Sequence, residues 1–302
     1  MNAILVLNRK AGAAAGSDAE PSDQALQQAF AQAGVSVALL PLEGGEVDRT
    51  FAAALARRPD AILAGGGDGT VSAAAGRLAD SGVPLGVLPL GTLNHFARDL
   101  GLPAGWREAI RTLATAVERR VDVAEVNGRV FINNCSLGSY GEAVRRRDAL
   151  RRERGHGKWR AMALACWQVF RRLRRHRFTI ETPAGTTCLR SPFAVIANNR
   201  YSGHVLNSDL RPRLDEGRLW LYTTRAQSRW AVLGLVAQAL TRDLDDTDRL
   251  DVQDTDRATI SVAKPPLPVA CDGELVDLAP PLKFRCRPLA LRVLAPPAGS
   301  RP

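Results

Sequence analysis

The chain has no Cys-x-x-Cys pair, and its five cysteines (Cys135, Cys166, Cys188, Cys271 and Cys286) are an odd number. This excludes a disulfide framework and a zinc knuckle, and it suits a reducing cytoplasm. Long apolar runs are missing as well. Residues 161–170 and 230–240 come nearest and fall well short of the ~20 residues a spanning helix needs. The opening MNAILVLNRKAG holds only five apolar residues before Asn8. That is too short for the apolar core of a signal peptide and reads as a first strand. There is no helix-turn-helix pattern, no RNP-like aromatic pair and no zinc spacing, so no nucleic-acid partner is expected. Internal repeats are absent, and low complexity is confined to the Pro/Ala/Gly-rich end after Leu294.

What is present is 302 residues, 45% of them hydrophobic, enough for two domains with separate cores. The formal net charge of +10 comes from arginine more than from lysine. Such a balance suits a polyanionic surface or a phosphorylated ligand. The chain is expected to be soluble or to rest on a membrane surface.

The first 120 residues alternate between apolar runs and helical spacing. Strands are expected at 3–7, 35–40, 60–64 and 85–88. Helices are expected at 22–33 (capped by Ser22 or Asp23), 47–57 and 70–79. That order implies a parallel sheet covered by helices, with ligands at the carboxyl ends of the strands. Two glycine loops, 65–70 and 91–94, follow strands and belong on that edge. After about residue 121 strands dominate. The run 121–126, Asn127-Gly128, 129–133 is a hairpin signal, because Asn-Gly favours a type I′ turn. Further strands are expected at 178–182, 186–190, 193–198, 218–223, 249–253, 258–262, 269–272 and 289–294. This half should be a sandwich or a related antiparallel domain. Two helical segments interrupt it, a basic one at 142–177 and an apolar one at 228–243.

The loop LAGGGDGTVSAAAG, residues 63–76, is neither the GxGxxG fingerprint nor the P-loop, and no lysine stands in it. Gly65, Gly66, Gly67 and Gly69 let main-chain N–H groups approach a ligand, and the following helix offers its free amides and positive dipole end. Thr70 can cap that helix or donate to a phosphate oxygen. The alternative reading is a tight Asp-Gly turn with Asp68 as the cap.

Other motifs accompany it in order. Asn8-Arg9-Lys10-Ala11-Gly12 is similar to the NP-x-[SA]-G opening of the diacylglycerol kinase catalytic domain, and Gly66 to Thr70 spell that family's GGDGT. Gly91 to Ala97 resemble its GT-x-N-D-F-A. Asp122 sits where its β domain begins. Leu214-Asp215-Glu216-Gly217 resembles its L-x-D-G, and Asp272-Gly273-Glu274 its DGE. The resemblance covers nearly the whole chain. It implies an NAD kinase-like, parallel three-layer α/β domain at 1–125 for the nucleotide. A β-rich, sandwich-like lipid-substrate domain would follow at 126–290. The tail at 291–302 would be able to return to the first domain.

By the same resemblance the chain is an ATP-dependent lipid kinase whose acceptor is a diacylglycerol- or sphingoid-like hydroxyl. ATP phosphates would lie on Asn8, Lys10 and Gly12 and on Gly66, Gly67, Asp68, Gly69, Thr70, Val71 and Ser72, with Thr92 and Asn94 from the second loop. Glu274 would be the catalytic base. Asp68 and Asp122 would belong to an aspartate and water network around the Mg²⁺ on ATP. The family's third aspartate is replaced by His95, which cannot be a hard oxygen ligand for magnesium. His95 would donate to a phosphate or to Asp68, or cap a short helix at 96–100. A second, structural magnesium would take the main-chain oxygens of Arg213 and Arg218 and the side chain of Glu216, with Asp215 as a substitute. The departures at His95 and Glu216 motivate a different reading, a non-catalytic nucleotide- or lipid-binding sensor. A soluble-metabolite kinase closer to NAD kinases is a third.

Residues 143–178 hold twelve arginines and Lys158 against Asp148 and Glu153. Trp159, Met162, Ala163, Cys166, Trp167 and Phe170 give an apolar helical stripe between the basic ends. The segment reads as a surface helix on anionic headgroups, as a nucleic-acid surface, or as a solvated helix packed on the β domain. Peripheral location on the inner membrane face is the expectation. Tyr140 and Gly141 neighbour the acceptor site in the family.

Overall fold

The computed structural model describes residues 1–9, 21–42, 46–154, 158–171, 173–201, 211–226, 228–241, 250–264 and 267–297. The chain divides into two compact units. One holds Met1–Val123 and the chain from Pro288 on, and the other holds Ala124–Arg287.

The first unit runs β1 (Asn2–Leu7), α1 (Asp23–Gln32), β2 (Ser36–Pro41), α2 (Val47–Ala56), β3 (Ala61–Gly66), α3 (Asp68–Leu78), β4 (Leu85–Pro89), α4 (His95–Asp99), α5 (Trp106–Ala114) and most of β5 (Val117–Val126). Strands β2, β1, β3 and β4 lie parallel in that order, with Ala3 opposite both Val37 and Ala61, and Ile62 opposite Leu85. Every residue of β3 and β4 is buried. Strands covered on both faces read as continuous apolar runs, which is how the sequence showed them. The helices bury Leu26 and Phe30, Phe51 and Ala54, and Ile110 and Leu113 at helical spacing. Ser22 caps α1, its Oγ accepting the Ala25 amide at 3.1 Å.

The second unit contains β6 (Arg129–Phe131), β7 (Asn134–Gly138), α6 (Ser139–Arg154), α7 (Lys158–Arg171), β8 (His176–Thr182), β9 (Gly185–Ser191), β10 (Phe193–Asn198), β11 (Leu219–Thr224), α8 (Arg229–Thr241), β12 (Leu250–Thr255), β13 (Arg257–Val262), β14 (Val269–Cys271) and β15 (Glu274–Val276). It ends in the first half of β16 (Leu282–Ala295), whose second half joins β4 of the first unit in parallel. Six strands pair in the order β12-β11-β10-β7-β14-β15, and β13 joins β8 to β16. One core takes residues from both sets, including Leu137, Ile196 and Val269 with Phe178, Ile260 and Phe284. The α/β unit followed by a β-rich sandwich is therefore the fold. Asn127 and Gly128 both have positive φ, as the type I′ turn between β5 and β6 requires.

Three differences from the sequence reading have local causes. The helix after the glycine loop starts at Asp68 rather than 70, because Gly67 is already extended and serves as its N-cap residue. The basic segment is two helices, and its last residues, His176 and Arg177, open β8. Strands β7 and β15 and the first half of β16 were not expected. β7 (NCSLG) has little β-forming composition, β15 is three residues long, and in β16 the alternation is interrupted at Pro288.

Phe131 and Phe284 meet edge to face at 6.3 Å in the core of the second unit. Phe284→Ala should lower stability by about 3–5 kcal/mol, read as a fall in the urea midpoint of the intact chain.

Candidate functional site

In the first unit, the carboxyl ends of β1, β3 and β4 are tied side by side. The Asn8 amide donates to the Gly65 carbonyl at 2.8 Å, and the Leu90 amide to the Gly66 carbonyl at 3.1 Å. Two glycines are required here by space. A Cβ on Gly66 would stand 2.6 Å from Thr70 Oγ1, and one on Gly91 would stand 2.5 Å from the Gly67 Cα. The two glycine loops therefore touch backbone to backbone. Asn94, in the left-handed region at φ 49°, holds the second loop with both ends of its carboxamide. Its Oδ1 accepts the Gly91 amide at 3.0 Å and its Nδ2 donates to the Gly91 carbonyl at 2.9 Å.

Thr70 is buried in the first turn of α3, and its Oγ1 accepts from Asn8 Nδ2 at 2.9 Å. It thus links the first glycine loop to the end of β1 rather than capping the helix. No side chain caps α3. The Thr70 and Val71 amides donate to the Gly67 carbonyl at 2.9 and 3.2 Å, so among the described residues the Asp68 and Gly69 amides are the ones left facing the loop, where the helix dipole favours an anion. Val71 is buried and its amide is taken by Gly67, so it packs beneath the loop; Ser72 and Thr92 are half-buried. Lys10 and Gly12 lie outside the described residues. Arg9 pairs with Asp23 at the start of α1.

Two buried polar atoms here have no partner among the described residues, Asp68 Oδ1 and His95 Nδ1. A buried carboxylate oxygen left open is costly unless something else supplies its partner. His95 is the first residue of α4 and makes no cap bond. Asp122, expected in the same acidic network, is buried in β5, and its Oδ1 accepts the Leu289 amide at 2.8 Å. Leu289 has φ 52°, so this bond secures a kink in β16.

In the second unit, Asp272 and Gly273 form the two-residue turn between β14 and β15, both at positive φ, with Cys271 opposite Glu274. The Asp272 carboxylate is not solvated. Oδ1 accepts the amides of Asn133 and Asn134 at 2.8 and 3.1 Å, and Oδ2 that of Ile132 at 3.0 Å. Arg147 on α6 donates to the Gly273 carbonyl at 3.3 Å. Glu274 is exposed and makes no hydrogen bond or ion pair among the described residues. Tyr140 and Gly141 open α6, and Gly141 is packed so closely that a Cβ would stand 2.4 Å from the Pro268 carbonyl oxygen.

Sequence reasoning missed Arg211. It is 1% exposed and reaches the same segment from its other side. Nη1 donates to the carbonyls of Ile132 and Asn198, and Nη2 to Asn133 Oδ1 at 2.6 Å. Only the proximity of LRPRL to the L-x-D-G stretch hinted at it.

The residues expected around a structural magnesium are closed on protein donors. Glu216 Oε2 accepts the Arg200 amide at 3.0 Å and Trp220 Nε1 at 2.9 Å, while the Arg200 guanidinium lies 4.8 Å from the indole centroid. The Arg218 carbonyl accepts the Asn199 amide at 3.2 Å, and Asn199 Oδ1 takes the Glu216 amide at 3.1 Å. Asp215 pairs with its neighbour Arg213 at 3.1 Å. N–H groups aimed at these oxygens occupy lone pairs that a magnesium octahedron would need. Glu216 Oε2 and one lone pair of the Arg218 carbonyl are thus taken by protein donors. Among the described residues no three His, Cys, Asp or Glu side chains stand together as a metal cluster.

Comparison with known proteins places this geometry. Residues 2–126 match the profile of the diacylglycerol kinase catalytic domain. Over 100 residues the chain is 43% identical to the diacylglycerol kinase of Bacillus subtilis, covering 32% of this chain and 33% of that one. An uncharacterized protein of Synechocystis is 28% identical over 243 residues, 79% of this chain and 55% of that one. The matched stretch thus spans about half the length of the Synechocystis relative and a third of the Bacillus subtilis kinase. A solved diacylglycerol kinase structure from Bacillus anthracis superposes with a TM-score of 0.70 at 18% identity, covering 98% of this chain and 97% of that one, which shows the fold. The resemblance carried by the motifs is therefore met by the family match over residues 2–126.

Two outcomes follow. Asp272→Ala leaves three amides of the 132–134 segment without their acceptor and should cost about 2–5 kcal/mol of stability in denaturant unfolding. Chelation with EDTA should leave the thermal midpoint of the free protein unchanged, whereas Glu216→Ala, which orphans the Trp220 indole N–H, should lower stability by about 1–3 kcal/mol.

Proposed function

We propose that this chain is an ATP-dependent kinase that transfers the γ-phosphate to a hydroxyl of a diacylglycerol- or sphingoid-like lipid. The observation that carries the reading is the joined glycine loops. Three strand ends, an uncapped helix N-terminus and a buried carboxylate oxygen without a partner meet at one edge of the first unit. Open amides suit phosphate oxygens, and the open Asp68 oxygen suits the hard cation that accompanies them.

In this reading the phosphates lie on the loop of Gly66, Gly67, Asp68, Gly69, Thr70, Val71 and Ser72, with the Asp68 and Gly69 amides as its open main-chain donors. Asn8, Thr92 and, on the motif, Lys10 and Gly12 add to that cradle. Asn94 acts through the turn it holds rather than through the ligand. Asp68 Oδ1 is the oxygen that would hold Mg²⁺. When bound, such an ion neutralises phosphate charge as it builds up during transfer. Glu274 takes the proton of the acceptor hydroxyl. As it does, that oxygen forms its bond to the γ-phosphorus, the bond to the β-phosphate oxygen breaks, and ADP leaves. A carboxylate with no competing partner suits this task. Asp272, Arg211 and Arg147 position it through the turn.

No helix among the described residues is long and apolar enough to cross a membrane. We place the chain in the cytoplasm, meeting its lipid at the inner membrane face.

The test is labelled ATP offered with a panel of lipids, the products separated by chromatography. A phosphorylated lipid is expected. Absence of transfer to every lipid, with ATP still bound, would favour a nucleotide-binding sensor. Glu274→Gln should lower kcat by about 10²–10⁴-fold with the KM for ATP little changed; full turnover in this variant removes Glu274 as the base. Asp68→Asn should raise the magnesium concentration needed for half-maximal rate, and an unchanged requirement removes Asp68 from the metal.

A further inference from the structure

Helices α7 and α8 of the second unit leave large apolar side chains in water. Trp167 is 58% exposed and Trp230 64%, with Leu164 at 41% and Leu233 at 45%. Scattered exposed hydrophobics need no explanation, but these are joined. Trp167 and Phe170 stack with ring centroids 6.0 Å apart, and Phe170 meets Trp230 edge to face at 5.5 Å. On α7, Leu164, Trp167 and Phe170 follow at three-residue steps, and Trp230 and Leu233 do so on α8, so each set shares a helix face. Sequence reading offered the α7 stripe alone. The contact with α8, sixty residues later, is what makes it a patch.

Among the described residues the charges on and beside these two helices are mainly basic. Neither α7 nor α8 contains an acidic residue. Arg171 and Arg174 are exposed, and the Arg229 guanidinium lies 5.7 Å from the Trp230 ring centroid. Glu142 is already answered by Arg145 and Arg146. His176 reports the same field, since burial and then Arg174 hold its imidazole below the usual histidine range.

We propose that this joined face of α7 and α8 docks on an anionic bilayer, with Trp167, Phe170 and Trp230 entering the headgroup boundary and the arginines meeting lipid phosphates. Indole and phenyl rings with leucines beside them match the chemistry of that boundary. The surrounding arginines match its surface potential. A single strand of nucleic acid fits less well. Its bases need open ring faces, and Trp167 and Phe170 spend theirs on each other; α8 also offers only one cation to follow a phosphate backbone. A second copy of the chain would bring arginines against arginines. The inference rests on the reading of the acceptor as a membrane lipid only for its purpose; the surface argument stands on exposure, ring contacts and charge.

The experiment uses the full chain and vesicles of phosphatidylcholine, with or without phosphatidylglycerol, in a sedimentation assay. Wild type should bind the anionic vesicles, release with rising salt, and show a blue shift in tryptophan emission that brominated acyl chains quench. The double variant Trp167→Ala, Trp230→Ala should keep its thermal midpoint and lose about tenfold or more in partitioning. Arg171→Gln with Arg174→Gln should weaken the preference for anionic over neutral vesicles. Unchanged partitioning in the tryptophan variant overturns the proposal, as does concentration-dependent dimerisation that the same variant abolishes. Displacement from vesicles by an oligonucleotide that quenches the same tryptophans overturns it too. Turnover on a dispersed short-chain acceptor separates this from the kinase reading. The tryptophan variant should retain that turnover while losing it on vesicle-borne lipid. If wild type binds vesicles but phosphorylates nothing, the kinase reading fails and the docking surface stands.

Discussion

One carboxylate governs the turn that carries Glu274 in the second unit. Asp272 takes three consecutive amides, Ile132 to Asn134, and Arg211 takes two carbonyls and a side-chain oxygen from the opposite direction. A buried guanidinium and a largely enclosed carboxylate are each unfavourable alone. Asp272 is satisfied by the amides of one short segment, and Arg211 by that segment together with the Asn198 carbonyl, so neither can be removed without stranding its partners. The same turn that Asp272 begins delivers Glu274 one residue past Gly273. The carboxylate that nothing holds is placed by one that is held three times.

The first unit follows the same economy. Asn94 spends its whole carboxamide on Gly91, Asn8 spends its amide on Thr70, and Asp122 holds the kink at Leu289. Polar side chains near the glycine loops mostly address the main chain, and the main chain is left to address the ligand. Against that background the open Asp68 Oδ1 and His95 Nδ1 stand out. The substitution of histidine for an acid leaves a nitrogen where an oxygen was expected. Asp68 therefore has one acidic neighbour fewer than the motif provides for.

How much of this the sequence revealed depended on the range of the signal. The parallel strands were legible because burial on both faces writes a continuous apolar run, and Asn127-Gly128 because only certain residues tolerate two positive φ values in succession. β7 was illegible because its residues suit a loop as well as a strand, and its place is set by partners 60 and 130 residues away. Arg211 left only its place beside the L-x-D-G stretch as a hint, since nothing local distinguishes a buried arginine from a solvated one. Glu216 was visible as a departure from the motif, but its pairing with Trp220 and with the Arg200 amide is a property of the end of β10 and the start of β11 brought together. The anchoring role of Asp272 was not legible, because the three amides that donate to its carboxylate lie about 140 residues away in the chain.

The strand Leu282–Ala295 belongs by halves to both units, with its later half beside β4. During synthesis this has an order of events attached to it. The first unit emerges from the ribosome early with four parallel strands in place, yet it must wait for the last part of the chain before the flank of β4 is covered. In the interval that flank is an open edge with unpaired main-chain groups. The glycine loops are thus assembled from residues that precede the second unit, while the edge beside them is closed by residues that follow it. A nascent chain halted anywhere in the second unit would carry the motifs without the closed sheet beneath them.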